Sequence, residues 1–318
     1  MKTPMRRIAT QAPVIALFLA AFGCSGCHHA NTAEGTLSAK PGALPDALAP
    51  GDLRFAVIGD YGTGGADELE VARLVDSWSP SFVVTVGDNN VPDGSAADLE
   101  PHVAAAYAKY IPGEHGAYGP GSAEPRFFPS LGNHDWRSST GLDAYRDFFH
   151  VPGNGRYYDV TLADGRVALF FLDSDSHEPD GIAADSKQAA WFRERAAATS
   201  ACLRLVLFHH PAYSSAWHGS TKAMRWPFRE LGMDAVLAGH DHDYERFQIN
   251  GIPYIVDGLG GASIYSFGTP LPESLVRYNR AHGALLVTLS SGAVRYEMWS
   301  VAGERVDSLT VAKACPPR

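Results

Sequence analysis

The chain reads as an α/β protein. Two observations point that way. Short apolar runs of strand length alternate with helical patterns from residue 53 onward, and five of those runs end in polar motifs built from Gly, Asp, Asn and His. In open α/β sheets the carboxyl ends of strands are where loops diverge and sites form. Five such ends meeting at one point would make a site rich in carboxylates and imidazoles.

The elements follow in order. Residues 53–58 read as a strand ending at Gly59-Asp60-Tyr61-Gly62, and residues 67–78 as a helix with Leu69, Leu74 and Val75 on one face. Residues 82–86 read as a strand ending at Gly87-Asp88-Asn89-Asn90, and 96–110 as a helix. Residues 127–131 form a short apolar run ending at Gly132-Asn133-His134-Asp135. A strand at 167–172 is closed by Asp173, and a helix at 185–198 has Asp185 as its expected N-cap. Residues 203–208 lead to His209-His210-Pro211, and 234–238 lead to Gly239-His240-Asp241-His242. Side chains alternate along an extended segment, so His240 and His242 are expected to face one point together. Four more strands are expected at 246–249, 253–256, 284–289 and 293–299.

The first 50 residues stand apart. Lys2, Arg6 and Arg7 make a basic start, residues 12–22 are apolar but short for a bilayer span, and Ala21-Phe22-Gly23 offers a small-x-small cleavage site. Residues 1–23 therefore read as a signal peptide, and export is expected, to the periplasm, to the outer membrane as a lipoprotein, or to the medium. Cys24 follows directly, as in a bacterial lipobox, although Phe22 stands where a small residue is usual. Membrane attachment through a lipid at Cys24 and plain cleavage nearby are both open. Residues 24–50, rich in Ala, Gly, Ser and Pro, read as a flexible linker.

The net charge of -9 gives no reason to expect nucleic acid as a stable partner, and any pull on a phosphorylated small molecule must be local. The four cysteines have no zinc-knuckle spacing. In an oxidising compartment Cys202 and Cys315 can pair and pin the C-terminus, or both can stay free.

The strand-end motifs supply six candidate ligands: Asp60, Asp88, Asn133, His209, His240 and His242. None carries sulfur. Mixed imidazole and oxygen donors suit iron, zinc or manganese, and magnesium less well. Six are too many for one catalytic metal with an open position, but they fit two metal ions sharing a carboxylate bridge. Two ions about 3.5–4 Å apart can clamp a phosphoryl group and activate water near neutral pH. His102, His115, His150, His177 and His282 stand outside the motifs and read as surface or satisfied core residues.

In this order the five motifs resemble the calcineurin-like metallophosphoesterase superfamily. The Asp-x-Gly form of the first is similar to the purple acid phosphatase branch, and the short chain to its tartrate-resistant members. The resemblance runs from about residue 53 to about residue 299. It implies a four-layer sandwich of two mixed β-sheets flanked by helices, spanning residues 51–318. It implies that Asp88 bridges the metals, that Asp60 and His242 belong to the first, and that Asn133, His209 and His240 belong to the second. His134 would touch the phosphate, His218 would protonate the leaving group, and His210 would not be a ligand.

The chain departs from the pattern twice. Val91 stands where the purple branch has an iron-binding tyrosine, and Gly62 stands where other members have a histidine. Tyr61 should point away from the metals. The activity implied is that of a metal-dependent phosphomonoesterase. A phosphodiesterase or nucleotide hydrolase would use the same machinery. A non-catalytic metal- or phosphate-binding protein is the rival reading, because the first metal has lost a ligand. The loops 112–125 and 262–282 are expected to set the substrate.

Overall fold

The computed structural model describes residues 45–315, so the signal-peptide and lipobox readings, Cys24 included, fall outside the described residues. In chain order the first strands are β1 (Leu53–Ile58), β2 (Val83–Thr85), β3 (Phe127–Phe128), β4 (Tyr158–Leu162), β5 (Val167–Phe171), β6 (Leu203–Leu207) and β7 (Ala235–Ala238). Then come β8 (Tyr244–Ile249), β9 (Ile252–Asp257), β10 (Ser274–Tyr278), β11 (Gly283–Leu289), β12 (Ala293–Ser300) and β13 (Arg305–Ala312). The α-helices are α1 (Ala66–Ser77), α2 (Ala105–Tyr107), α3 (Asp143–Phe149) and α4 (Lys187–Ala198).

The strands sort into two mixed sheets, as expected. One runs β13-β12-β11-β1-β2-β3 and the other β10-β8-β9-β7-β6-β5-β4. Side-chain alternation then builds the layers. Phe55 and Val57 of β1 face the other sheet and join Leu205, Leu207, Ile255, Leu285 and Val287 in the core between the sheets. Their neighbours Ala56 and Ile58 point the other way, packing with Leu286 against Val71 and Val75 of α1. In the second sheet Ala168, Phe170, Val206 and Val236 turn outward onto Phe192 and Ala196 of α4. Strands buried on both faces need apolar residues at every position, which is why they read as continuous runs rather than alternating ones.

Strand direction places the motifs. β1, β2 and β3 are parallel, and so are β5, β6, β7 and β9. The polar motifs follow β1, β2, β3, β6 and β7, and they meet at the carboxyl ends of both parallel sets. The other end of β1 receives the incoming chain. There Arg54 donates to the backbone carbonyl of Asp46, and Arg295 donates to its carboxylate.

Several elements differ from expectation, each for a local reason. The 96–110 helix is broken into a π-helical turn at Leu99–Ala104, then α2, then a 3-10 turn at Ala108–Tyr110. Pro101 lies within it and lacks the N–H a regular helix needs. The run at 127–131 is strand only at Phe127 and Phe128; Pro129 cannot donate, though the Ser130 N–H still reaches the Thr85 carbonyl at 3.2 Å. Ser186, not Asp185, caps α4; its side chain accepts from the Ala189 N–H at 3.1 Å. The buried face of α1 is Glu68, Val71, Ala72 and Val75 rather than Leu69, Leu74 and Val75. Strands β4, β10 and β13 and the short helix α3 had no signal above that of loop sequence.

Cys202 and Cys315 are disulfide-bonded, with Cα atoms 5.6 Å apart although they lie 113 positions apart in sequence. This resolves the open pairing. Cys315 is fully buried against the core between the sheets. A link over so long a loop restricts the unfolded chain strongly. Replacing both cysteines by serine should lower the unfolding free energy by about 2–4 kcal/mol, read as a lower denaturant midpoint. Equal midpoints for the parent and the double variant would show that the bond contributes nothing.

Candidate metal centre

The motif residues turn back sharply as each strand ends. Asp60, Asp88 and His240 have φ values of 57°, 51° and 71°, a left-handed region that non-glycine residues rarely occupy. Strain of this kind persists where the surroundings enforce it and concentrates at functional sites. Two glycines permit the loops to close on the carboxylates. A Cβ on Gly132 would sit 2.2 Å from the Asp88 N and Oδ1 atoms, and one on Gly239 would sit 2.5 Å from Asp60 Oδ2.

His209 is the hub. Its Nδ1 meets the Val86 carbonyl at 2.9 Å, which turns Nε2 toward the other motifs. Around Nε2 lie Asn133 Oδ1 at 3.1 Å, His240 Nδ1 at 3.1 Å, Asp88 Oδ2 at 3.2 Å and Asp60 Oδ1 at 3.9 Å. Ligand atoms of Asp88, His209 and His240 all lie within 4.8 Å of one another. Asp60 extends the group toward His242, whose Nε2 is 3.3 Å from Asp60 Oδ1 and whose Nδ1 is 2.6 Å from the Ser263 carbonyl. All six expected ligands are therefore together. His240 and His242 reach the group through a tight turn, however, and not by strand alternation.

The electrostatics suit a cation. Burial opposes charge on His209, but Asp88 and Asp60 outweigh it and push its imidazole up to about 10. Burial also opposes charge on Asp88, and His209 and His134 reverse that, holding it well below the usual carboxylate range. Burial drives His240 down, helped by His209, His210 and His218, so its ring stays neutral. His242 moves up, since Asp60 overcomes its burial. His209 Nε2 thus faces the oxygens of Asp88, Asp60 and Asn133 and the neutral His240 ring, an arrangement held by a proton on His209 or by a metal ion in its place. With oxygen and imidazole donors and no sulfur, the residues fit iron, zinc or manganese.

The two residues expected to touch substrate stand at the rim. The backbone N–H of His134 donates to Asp88 Oδ1 at 2.8 Å, and its ring Nε2 is 3.7 Å from Asp88 Oδ2. The exposed ring of His218 lies over His240, with centroids 4.2 Å apart. His210 faces Ser174, its Nδ1 3.1 Å from the hydroxyl, and burial with the His209 charge lowers it to about 4. Tyr61 points away as expected; its hydroxyl donates to Asn89 Oδ1 at 2.9 Å within the core. Of the lone histidines, His102, His115, His177 and His282 find partners at Gly62, Glu100, Asp175 and Ala262.

Sequence reading missed four contributors. Buried Asp135 accepts from the Gly132 and Asn89 N–H groups and from Asn89 Nδ2, tying the second motif to the third. Burial and the Asp88 charge push it up to about 7. Arg137 places Nη1 2.9 Å from His134 Nδ1. Tyr265 stacks on His242 with centroids 3.9 Å apart. Asp241 holds the loop that carries His218. Asp135 and Asp241 lie inside the motifs, where their polarity was a signal; Tyr265 lies in the 262–282 loop expected to set the substrate, and Arg137 lies just past the third motif.

Comparison with known proteins agrees with this geometry. Residues 53–244 match the calcineurin-like phosphoesterase family model. The chain is 27% identical to mouse tartrate-resistant acid phosphatase type 5 over 250 residues, covering 65% of this chain and 72% of that protein. It is 22% identical to Arabidopsis thaliana purple acid phosphatase 7 over 294 residues, covering 83% of this chain and 87% of that one. The fold is similar to that of a purple acid phosphatase from yellow lupin, with a TM-score of 0.63 over 84% of this chain and 55% of that one at 17% identity. With more than half its length matched and the motifs gathered at one point, the chain belongs to the calcineurin-like phosphoesterase family, hydrolases of phosphoric esters.

Proposed function

We propose that the protein is an exported phosphomonoesterase, acid-phosphatase-like, that works with two metal ions. One observation carries this reading. Ligand atoms of Asp88, His209 and His240 lie within 4.8 Å of one another, with Asn133 Oδ1 against His209 and Asp60 paired to His242 beside them, enough donors for two ions. Asp60, Asp88 and His242 would hold one ion, and Asp88, Asn133, His209 and His240 the other. Iron, zinc or manganese suits both sets. When bound, such ions neutralise charge on a phosphoryl group and lower the pKa of water.

The chain's own residues do the rest. His134, fixed through its backbone to Asp88, lines the phosphate position. Arg137 beside it adds a guanidinium able to take phosphate oxygens in pairs. His218 sits on the open side, where it protonates the departing oxygen. The named acid phosphatases among the relatives favour a monoester substrate over a phosphodiester or nucleotide. The non-catalytic alternative rests on Gly62 and Val91. A side chain at Gly62 would meet the Asn89 carbonyl oxygen 1.9 Å from its Cβ, so the second motif occupies the space a histidine would need.

Residues 1–23 act as a signal peptide, residues 24–50 as a linker and residues 51–318 as the catalytic domain. Mature protein then begins at or near Cys24, with or without lipid, which mass spectrometry of protein from native membranes and medium reads directly. An intact Met1 would refute export by this route.

Asp88→Ala should lose turnover of an aryl phosphate to background and lose bound metal with it. Near-normal turnover by a folded Asp88→Ala protein would remove the bridged centre and leave the binding-protein reading. His218→Ala should slow an alkyl phosphate by about 100-fold or more and a nitrophenyl phosphate far less, since a good leaving group needs no proton. Equal losses on both would make His218 a binding residue.

Val91 predicts colour. A valine has no phenolate to transfer charge to ferric iron, so the iron-loaded parent should show no purple band. Val91→Tyr should gain one and retain iron more tightly, judged by visible spectra alongside metal analysis. A colourless variant with full iron would show that residue 91 does not face the metals.

A further inference from the structure

We infer that Asp241 is a positioning residue: its carboxylate holds the loop at residues 214–220 so that His218 stands over the metal-binding histidines. The inference rests on the reading of His218 as the proton donor to the leaving group.

Asp241 lies between His240 and His242 in sequence, yet its side chain turns away from the cluster and is completely buried. Its Oδ1 accepts the His218 backbone N–H at 2.8 Å. Its Oδ2 accepts the Ser214 hydroxyl at 2.5 Å and the Gly219 N–H at 3.2 Å. The Ser214 oxygen in turn accepts the Ala216 N–H at 3.0 Å. One carboxylate thus gathers both ends of the loop. Charge-assisted hydrogen bonds of this sort are stronger than neutral ones, and more so where water is excluded.

The other holds reach only the base of the loop: Ser220 Oγ accepts the Ser214 N–H at 3.1 Å, and Ser215 accepts the Gly268 N–H at 2.7 Å and the Leu271 N–H at 2.9 Å. Its base is tied by the Thr221 N–H to the Pro211 carbonyl at 2.7 Å and by the Ser215 N–H to Glu245 at 2.7 Å. Its tip carries Trp217, 78% exposed, and the exposed His218. The His218 ring touches His240 and lies 5.5 Å from the Tyr265 ring, which itself stacks on His242. The position of a proton donor over the site is therefore set from beneath, by the residue between the two ligands. A misplacement of about 1 Å can cost on the order of 100-fold in rate.

An asparagine at 241 tests this. It keeps one acceptor oxygen and turns an amide N–H2 group toward a backbone N–H, so at least one hold is lost. Asp241→Asn should speed amide hydrogen exchange across 214–220 and leave metal content unchanged. It should slow alkyl phosphate turnover by roughly 10- to 100-fold with little change in KM, and nitrophenyl phosphate much less. In a His218→Ala background the same substitution should add almost nothing. Ser214→Ala, which removes one donor and keeps the charge, should show a weaker version of the same pattern, and it serves if Asp241→Asn does not fold. Unchanged exchange would overturn the inference whatever His218 does. Loss of metal, or additive losses with His218→Ala, would also overturn it by placing the effect on the ligands instead. If His218→Ala alone slows both substrates equally, the reading of His218 fails, and the exchange result still judges Asp241 as the holder of the loop.

Discussion

Everything in this molecule answers to one contact set: polar and charged side chains of Asp60, Asp88, Asn133, His209 and His240 crowded around a single point. Gathering such groups away from water costs several kcal/mol per uncompensated ion. The two sheets meet that cost by being stiff. Each central strand is buried on both faces, so its end cannot drift, and the left-handed turns at Asp60, Asp88 and His240 are held from both sides. The left-handed turns and the candidate ligands sit in the loops, while the facing sides of the central strands carry apolar packing.

The loops are also tied to each other rather than to solvent. Asp135 locks the third motif onto the second, and Asn89 of the second accepts from Tyr61 of the first. The Asp60 carboxylate accepts the His240 N–H, linking sheets across 180 residues of sequence. Motif residues outside the expected ligand set, Tyr61, Asn89 and Asp135, thus set the positions of those within it.

Much of this was legible in the sequence, for a physical reason. A strand buried on both faces announces itself as an apolar run, and a polar motif directly after it marks where its end opens. Edge strands lack that contrast. β10 alternates exposed and half-buried residues, as Ser274 and Leu275 show, and β13 does so from Ser308 onward, so both looked like loop. The α4 cap slipped by one residue because Asp185 and Ser186 are both good caps, and only the approach of the Ala189 N–H decides between them. At the site, the residues that gather could be read from the motifs, but the contacts Arg137 makes with His134 and Tyr265 with His242 arise only on folding. His240 and His242 were paired for the wrong reason: a tight turn, not an extended segment, brings them together.

The clasp of Asp46 by Arg54 and Arg295 bears on orientation. It fixes the incoming chain at the start of β1, and the Asp60 motif follows the far end of the same strand. Six residues of strand span about 20 Å, so the chain enters the sheet at the end of β1 away from the Asp60 loop. A domain held by its N-terminal segment would present its mouth outward. Bulky phosphate esters would then approach from the side away from where the chain enters.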